Sequence, residues 1–340
     1  MVRTAQVQVD QAVGMVISHD LTQIDVQQGY KGARFKRGHV VRQDDIPVLK
    51  SMGKNTLTII HLEEGDVHED EASSRLAARM AGEGIQVHGP EEGKVTLVAG
   101  WNGLVVYDEE SLHAINSDES WALAAIPNKV PVKKGEPVAG IRTVPIVMSE
   151  ETVARAESAA LPFTVFPFHP LRTALVTTGR EILEGRIRDS FAPKLVRKLA
   201  AYGSTLMEQV VVGDDRAEIS GAIRALIEKN AELIIVTGGM SIDADDCTAE
   251  AILEVSDEVV FNGVPILPGA RLMLGLQQRT KIVGAPACVA HDSWTSLDIL
   301  LNRLFAGLIP SREEVRRWGA GGYCRKCRTC NFPVCSFAAR

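Results

Sequence analysis

One stretch of this chain joins an apolar run, a glycine loop and several carboxylates, and it constrains the fold more than any other. Residues 233–236 are Leu, Ile, Ile and Val, a run that is typical of an interior strand of a parallel sheet. Gly238 and Gly239 follow, where a ligand could come close to the backbone. Because open α/β sheets bind ligands at the carboxyl ends of their strands, we expect a binding site at this loop.

Acidic side chains follow the glycine loop. Asp243, Asp245 and Asp246 precede Thr248, which we expect to cap the next helix. Backbone amides and helix N-termini at such a loop favour anions, whereas bare carboxylates repel phosphate. A divalent cation between a bound phosphate and these carboxylates would allow both at one site. The alternative interpretation is a solvated acidic turn without a ligand.

Short apolar runs and amphipathic segments alternate from residue 172 onward. This alternation predicts an α/β fold with a doubly wound, mostly parallel sheet. The predicted strand at residues 174–177 ends in Thr178-Gly179, much as the later strand ends in Thr237-Gly238. Both predicted strands therefore end in a threonine followed by a glycine.

Several polar residues of this region have a structural interpretation. Ser190 is predicted to cap one helix, and Asp215 with Glu218 to form an acidic capping box on the next. The pair His291-Asp292 stands before the last predicted helix, at residues 292–305. We interpret that pair as a cap rather than as an acid–base pair, because no nucleophile accompanies it.

The first half of the chain has a different pattern, with short β-type runs between turn residues and a few helices. His68 stands in an acidic run before a predicted helix at residues 70–80, and we interpret this run as a helix start rather than a metal site. The predicted division of the chain is an α+β region at 1–88, a β-rich module at 89–150, a linker at 151–171, the α/β domain at 172–310 and a cysteine-rich tail at 311–340.

Composition narrows the possible partners. The 340 residues have a formal net charge of −6, which argues against a general nucleic-acid-binding protein and favours small-molecule ligands. The first residues lack the apolar segment of a signal peptide, and no apolar run is long enough to span a bilayer. We therefore expect a cytoplasmic protein without a membrane partner.

Residues 172–308 resemble the molybdopterin-binding domain shared by molybdopterin adenylyltransferases and molybdopterin molybdenumtransferases. The resemblance lies in the order and spacing of one series of residues. The series is Thr178-Gly179 with Glu181, then Gly185, Ile187, Asp189 and Ser190, then Asp214, then Thr237-Gly238-Gly239, then Asp246 to Glu250, and finally Pro268-Gly269 with Gly284-Ala285-Pro286.

The resemblance also implies roles for these residues. Asp189 and Asp246 are implied as catalytic carboxylates that act on the pterin or through Mg²⁺. Arg180 stands where molybdenumtransferases usually have an aspartate, and a cation there could contact phosphate or molybdate directly. The implied cofactor-binding residues are Thr178, Gly179, Glu181, Ser190, Thr237, Gly238, Gly239, Ser241, Pro268, Gly269, Gly284 and Pro286.

A function in molybdenum cofactor biosynthesis or maturation follows from the resemblance. The implied ligands are molybdopterin or adenylylated molybdopterin, a nucleotide and molybdate or tungstate, and the implied reaction is an adenylyl transfer or a metal insertion by a homo-oligomeric transferase. A second hypothesis is a carrier or sensor that delivers the cofactor to a recipient molybdoenzyme without turnover. A third is an unrelated nucleotide-binding α/β protein, which would bind ATP but no pterin.

Four cysteines lie close together near the C-terminus. Cys324, Cys327, Cys330 and Cys335 have the spacing C-x-x-C-x-x-C-x4-C, which is compact enough to surround zinc or an iron–sulphur cluster. A mobile, reactive tail is the alternative. Glycines at 319, 321 and 322 suggest a hinge, so we expect the tail to be an independent appendage.

Protein purified anaerobically is expected to carry one metal centre on these four cysteines, and truncation after Leu308 is expected to remove it without unfolding the rest. The reason is that four thiolates within twelve residues can close on one ion with little loss of loop entropy. Elemental analysis with an absorption spectrum tests this. Iron with sulphide indicates a cluster, colourless zinc protein indicates a structural site, and metal-free protein from a reducing preparation contradicts the prediction.

Overall fold

The structure is a computed structural model that describes residues 4–25, 30–60, 62–91, 93–240, 246–333 and 335–337. In these ranges no helix is long and apolar enough to cross a membrane. Ser241, Asp243 and Asp245, which the sequence places at the candidate site, lie outside the described residues.

The N-terminal segment has a small core of its own. Its strands pair as two antiparallel ladders, β1 with β4 and β2 with β3, around buried Leu21, Leu49 and Ile59. The elements are β1 (Thr4–Gln8), a 3₁₀ turn (Val9–Gln11), β2 (Leu21–Asp25), β3 (Tyr30–Phe35), α1 (Asp45–Ser51) and β4 (Thr56–Ile60).

The β-rich region follows, with sheets of order β6-β7-β11-β9, β10-β8-β13 and β12-β5. Its elements are β5 (Asp66–His68), α2 (Glu69–Met80), β6 (Ile85–Glu91), β7 (Lys94–Ala99), β8 (Gly103–Val106), α3 (Glu109–Asn116), β9 (Trp121–Ala125), β10 (Pro131–Val132), β11 (Pro137–Thr143), β12 (Val147–Ser149), α4 (Glu150–Ala159) and β13 (Thr164–Pro167).

Three features of this region differ from the sequence-based division. Leu76 on α2 packs in one core with Leu97 on β7, so the boundary placed at residue 88 falls inside that core. Strand β13 lies within the predicted linker and pairs with β8. Helix α3, capped by Asp108, was not predicted, because only Ser111 and Ile115 on it are buried and the apolar periodicity is short.

His68 has the structural role that its position suggested. Its Nδ1 accepts a hydrogen bond from the N–H of Asp70 (3.2 Å), which caps α2, and its Nε2 lies 2.8 Å from the carbonyl oxygen of Ser18. Burial lowers the pKa of this imidazole, which fits a neutral ring that donates through Nε2.

The C-terminal half contains the six-stranded sheet β15-β14-β16-β19-β18-β17. Strands β15, β14, β16 and β19 are parallel, and β18 runs antiparallel between β19 and β17, so the predicted mostly parallel α/β fold is confirmed. The elements are β14 (Thr173–Thr178), α5 (Arg180–Leu183), α6 (Phe191–Ala200), β15 (Leu206–Val212), α7 (Arg216–Glu228), β16 (Leu233–Thr237), α8 (Thr248–Val255), β17 (Glu258–Asn262), β18 (Met273–Gln277), β19 (Thr280–Ala285), a 3₁₀ turn (Ala287–Ala290), α9 (Ser296–Phe305) and α10 (Arg312–Arg317).

Alternate residues of the central strands face two different cores. Ile235 on β16 packs in the core that contains α6 and α9, while Ile234 packs in the core that contains α7 and α8. Every residue of β14 and of β16 is buried, as expected for strands covered on both faces.

The last long helix begins later than predicted and is capped by other residues. Helix α9 starts at Ser296, and Thr295 forms a capping box with Asp298. The predicted cap at His291-Asp292 is therefore wrong, because a threonine with an acidic residue three positions later satisfies two backbone N–H groups reciprocally. Asp292 instead forms an ion pair with Lys326 in the tail, 2.9 Å away.

The tail is packed against the α/β domain, so the expected hinge and independence are wrong. Trp318 is 2% exposed and Phe337 is 5% exposed, and both belong to the core that contains α9. The rings of Phe332 and Trp294 are in contact, with centroids 4.4 Å apart and planes tilted by 31°. A Cβ added at Gly322 would lie 2.4 Å from the carbonyl oxygen of Pro265, which shows close backbone contact rather than a free hinge.

Replacing Trp318 with alanine is expected to lower the free energy of unfolding by about 3–5 kcal/mol, because it leaves a cavity in the core. Tyr323, an aromatic residue of the tail that is 70% exposed, provides the matched control. Denaturant titration of Trp318→Ala and Tyr323→Ala measures both. Equal, small effects would support an independent tail and contradict the packing described here.

Candidate functional site

The two glycine loops lie at neighbouring strand ends. Strands β14 and β16 are parallel neighbours with Thr177 opposite Thr237, and β15 pairs with the other edge of β14. The chain thus leaves β14 in one direction to form β15 and returns to form β16 on the opposite side. Ligands of open α/β sheets bind at such a reversal of strand order.

Gly238 is held very close to Thr178. Its φ is +93°, and a Cβ there would lie 2.4 Å from Oγ1 of Thr178 and 2.5 Å from the carbonyl oxygen of the same residue. A side chain at position 238 would therefore clash and force a strained backbone. This contact sets the spacing between the two loops.

The hydroxyl group of Thr178 has an unusual environment. Thr178 is 3% exposed, and its Oγ1 has no hydrogen-bond partner within the described residues. It lies beside the position that a Cβ of Gly239 would take, 3.5 Å away. A buried polar atom without a partner costs about 1–3 kcal/mol, so a ligand group that bonds it would recover this energy.

Thr248 connects helix α8 to the second glycine loop. Its hydroxyl donates to the carbonyl oxygen of Gly238 (2.9 Å), and its N–H donates to that of Gly239 (3.2 Å). The prediction that Thr248 caps the helix is wrong, because Cys247 occupies the N-cap position and Thr248 is the first helical residue. The loop conformation is thereby fixed by the helix that follows it.

Both oxygens of Asp189 serve structural hydrogen bonds. Oδ1 accepts from the N–H of Phe191 (2.7 Å), while Oδ2 accepts from Nε2 of Gln209 (2.6 Å) and from Oγ1 of Thr177 (3.3 Å). Asp189 thus does what the sequence assigned to Ser190, whose side chain is exposed and makes no capping bond in the described ranges. The Asp189 carboxylate bridges α6 to the end of β14 and to the middle of β15.

The first glycine loop is fixed by an aspartate after β15. Oδ2 of Asp214 accepts a hydrogen bond from the N–H of Arg180 (3.0 Å), and the N–H of Gly179 donates to the carbonyl oxygen of Val212 (3.2 Å). Glu181 lies exposed on α5, one residue after Arg180. The sequence signal for Asp214 was its place in the motif series, and only the structure shows that it positions the loop.

The predicted capping box on α7 is half correct. Oδ1 of Asp215 accepts from the N–H groups of Ala217 (2.9 Å) and Glu218 (3.0 Å). The Glu218 carboxylate, however, accepts from the N–H of Gly213 (3.1 Å), so it holds the loop before the helix.

This edge of the sheet is acidic. The pKa of the Cys247 thiol is raised, first by burial and then by the carboxylates of Asp214, Glu250 and Asp215. Asp246 is half-buried and stands directly before Cys247. The carboxylates favour a cation here, but the described residues contain no group of three or more His, Cys, Asp or Glu side chains placed to hold a metal ion.

A second part of the site lies at the ends of β18 and β19. The carbonyl oxygen of Gly269 accepts from Oγ of Ser296 (2.6 Å), and a Cβ on this glycine would lie 2.3 Å from that hydroxyl oxygen. Gly284 lies beneath Met240, since a Cβ there would be 2.7 Å from Cε of the methionine. Pro286 is buried at the end of β19.

Met240, Gly269 and Pro286 border a cavity of about 610 Å³, whereas Gly284 and Ser296 are not in its described wall. Pro268, Gly269 and Pro286, all implied by the resemblance, lie in its wall, and Met240 links it to the TGG loop. Other described wall residues were not expected there, because they lie outside the motif series. The polar and aromatic ones and the cysteines among them are Arg271, Cys288, Asp292, Tyr323, Cys324, Arg325 and Lys326.

The four tail cysteines share a smaller cavity of about 270 Å³. All are free thiols, with Cys324 and Cys335 half-buried and Cys327 and Cys330 exposed. As placed, they do not form a metal-holding group in the part of the chain that the structure describes. Metal binding would have to draw the thiols together, and the metal centre stays a prediction.

Comparison with known proteins assigns the α/β domain. Residues 174–306 match a family model described as "Probable molybdopterin binding domain". These residues form a domain of that family. The match runs from β14 through α9 and covers less than half of the chain. Residues 6–61 match a second model, described as a domain of unknown function.

Two relatives illustrate the extent of the sequence similarity. A CinA-like protein of Mycobacterium leprae is 38% identical over 81 residues, which are 24% of this chain and 19% of the relative. A CinA-like protein of Mycolicibacterium vanbaalenii is 32% identical over 122 residues, 36% of this chain and 29% of the relative. The chain therefore spans less than a third of the length of these relatives.

Solved structures similar to this chain include molybdopterin biosynthesis proteins. The molybdopterin biosynthesis enzyme MoaB from Thermus thermophilus has a TM-score of 0.35 at 22% identity, with 40% of this chain and 97% of that chain covered. The tungsten cofactor synthesizing protein MoaB from Pyrococcus furiosus has a TM-score of 0.33 at 17% identity, with 40% and 93% covered.

Gly238→Ala is expected to lower the free energy of unfolding by at least about 2 kcal/mol, because Cβ would clash with Thr178 at a φ that costs an L-residue about 1–2 kcal/mol. Gly221→Ala is the control: this glycine lies inside α7 with no described atom within 4 Å of a Cβ. That variant should be neutral or slightly stabilised. Thermal melting of both compares them, and an unperturbed Gly238→Ala protein would refute the close contact.

Proposed function

We propose that the molybdopterin-family domain binds molybdopterin or adenylylated molybdopterin at the ends of β14 and β16, in the biosynthesis of the molybdenum cofactor. The observation that carries the proposal is the buried hydroxyl of Thr178 between two glycine loops, which has no partner among the described residues. A phosphate oxygen would accept a hydrogen bond from this hydroxyl, and Gly238 keeps the backbone open for close approach.

The residues around this point have separate tasks in the proposal. N–H groups of the second glycine loop, at Gly238 and Gly239, would bind the phosphate, supported by the N-terminus of α8. Asp246 stands at that N-terminus and would hold Mg²⁺ together with ligand oxygens. The ion would neutralise phosphate charge beside the carboxylates of Asp214 and Glu250, which otherwise disfavour an anion.

The proposed activity is that of a transferase, by adenylyl transfer to molybdopterin or by metal insertion into the adenylylated form. Incubation with molybdopterin and Mg-ATP, and separately with adenylylated molybdopterin and molybdate, tests the two reactions. Formation of adenylylated pterin or release of nucleotide supports one of them. If neither occurs while the pterin binds, the transferase activity is excluded.

A carrier without turnover is the second candidate, and the hydrogen bonds of Asp189 favour it. Three groups already occupy this carboxylate: the N–H of Phe191, the amide of Gln209 and the hydroxyl of Thr177. A residue fixed in this way organises the strand ends and is less available for proton transfer. A carrier of this kind would deliver cofactor to a recipient molybdoenzyme.

Asp246→Asn is expected to abolish turnover, by at least about 100-fold, while the protein stays folded, because a loop carboxylate that holds a cation can lose its charge without disturbing the core. Asp44→Asn makes the same chemical change at an exposed position with no capping bond in the described segment of α1. Activity and thermal melting are measured on both. An unfolded Asp246→Asn protein, or one with full activity, would exclude Asp246 from the site.

A further inference from the structure

We propose that residues 323–326 of the tail are part of the ligand site, where Arg325 binds an oxyanion of the pterin ligand beyond the phosphate at the glycine loops. This inference rests on the proposed function, since the ligand is the same pterin. The oxyanion is a tetrahedral group: the second phosphate of adenylylated molybdopterin, or molybdate.

The tail segment is fixed to the site by backbone hydrogen bonds. The N–H of Leu267 donates to Gly322 (2.8 Å), and the N–H of Cys324 donates to Leu267 (2.8 Å), so Leu267 and Tyr323 form a parallel bridge. Leu267 directly precedes Pro268-Gly269, which line the cavity of about 610 Å³. The tail is therefore hydrogen-bonded to the same loop whose Pro268 and Gly269 line the cavity.

Side-chain packing holds this wall from behind. Trp318 is 2% exposed in the domain core, and a Cβ on Gly322 would lie 2.6 Å from its carbonyl oxygen. Lys326 forms an ion pair with Asp292, 2.9 Å away, at the 3₁₀ turn after β19. The segment thus has contacts at both ends, which is what a preorganised binding surface needs.

The charge of the cavity wall identifies the ligand group. Among its described side chains, Asp292 is a carboxylate that Lys326 neutralises, and Arg325 adds a further positive charge. The wall is therefore positive in a chain whose formal net charge is −6. A planar guanidinium matches two oxygens of a phosphate-like group, so Arg325 is the better oxyanion ligand.

The positive wall complements the acidic edge at Asp214 and Asp246. Met240 directly follows the second glycine loop and lines the cavity together with Arg325, so the proposed ligand extends from the glycine loops past Met240 into this cavity. The volume of about 610 Å³ lies in the range of small-molecule sites, roughly 300–1,000 Å³. In this proposal the tail forms the part of the binding site that is farther from the glycine loops.

Equilibrium titration of the full-length protein tests the role of Arg325. Arg325→Gln is expected to weaken the binding of adenylylated molybdopterin about 10-fold or more, the loss typical of a charge-assisted contact. Arg328→Gln is the matched control, since Arg328 is exposed in the same tail and lies outside the described lining of both cavities. It should change the affinity less than about 2-fold.

Separate ligands distinguish the sources of the oxyanion. If Arg325 binds the second phosphate, Arg325→Gln lowers the affinity for adenylylated molybdopterin and leaves the affinity for molybdopterin unchanged. If Arg325 binds molybdate, the variant differs from the wild-type protein only in the change of pterin affinity that added molybdate causes. Equal affinities of Arg325→Gln and Arg328→Gln for every ligand, with pterin bound by both, overturn this inference alone. Wild-type protein that binds no pterin overturns the proposed function as well.

Thiol footprinting of the wild-type protein gives a second readout that needs no variant. Cys288 and Cys324 line the cavity, whereas the exposed Cys327 lies outside its described wall. After removal of metal with a chelator, adenylylated molybdopterin is expected to slow iodoacetamide labelling of Cys288 and Cys324 at least about 5-fold and to leave Cys327 unchanged. Unchanged labelling of Cys324 at a saturating ligand concentration contradicts a tail wall.

Discussion

The close contact between Gly238 and Thr178 is the constraint on which the site depends. It joins the ends of two parallel strands at the point where the strand order reverses. Thr248 then fixes the second loop from the start of α8, and Asp214 fixes the first loop from the end of β15. The second loop is therefore held by the helix that follows it, and the first loop by the segment that follows the neighbouring strand β15. Between them lies a buried hydroxyl without a described partner.

The charges around this contact divide the site into two parts. Carboxylates lie beside α8, where the pKa of Cys247 is raised first by burial and then by these carboxylates. Cations lie on the wall of the neighbouring cavity. An anionic ligand alone would suit only the second part, whereas an anionic ligand with a divalent cation would suit both. The separation follows from topology, because the acidic residues follow β15 and β16, while Arg271 precedes β18 and Arg325 lies in the tail.

The tail shows how a correct local pattern can lead to a wrong expectation. The spacing of Cys324, Cys327, Cys330 and Cys335 suggested a separate metal knuckle behind a glycine hinge. In the fold, Trp318 and Phe337 are buried with α9, and Gly322 allows close backbone contact instead of movement. Glycine spacing alone does not distinguish these roles, since both need a position without a side chain.

The sequence by itself determined the strands, the glycine loops and the family resemblance of the α/β domain, because continuous apolar runs and glycine positions are local signals. It also predicted the cap at Asp215, which depends on neighbours in the chain. Only the tertiary structure decided that Asp189 replaces Ser190 as a cap and that residues 323–326 border the cavity. The contacts at the cavity join residues that are distant in sequence, and the cap depends on which of two adjacent polar side chains reaches the helix. In both cases the packing of the whole domain decides the outcome.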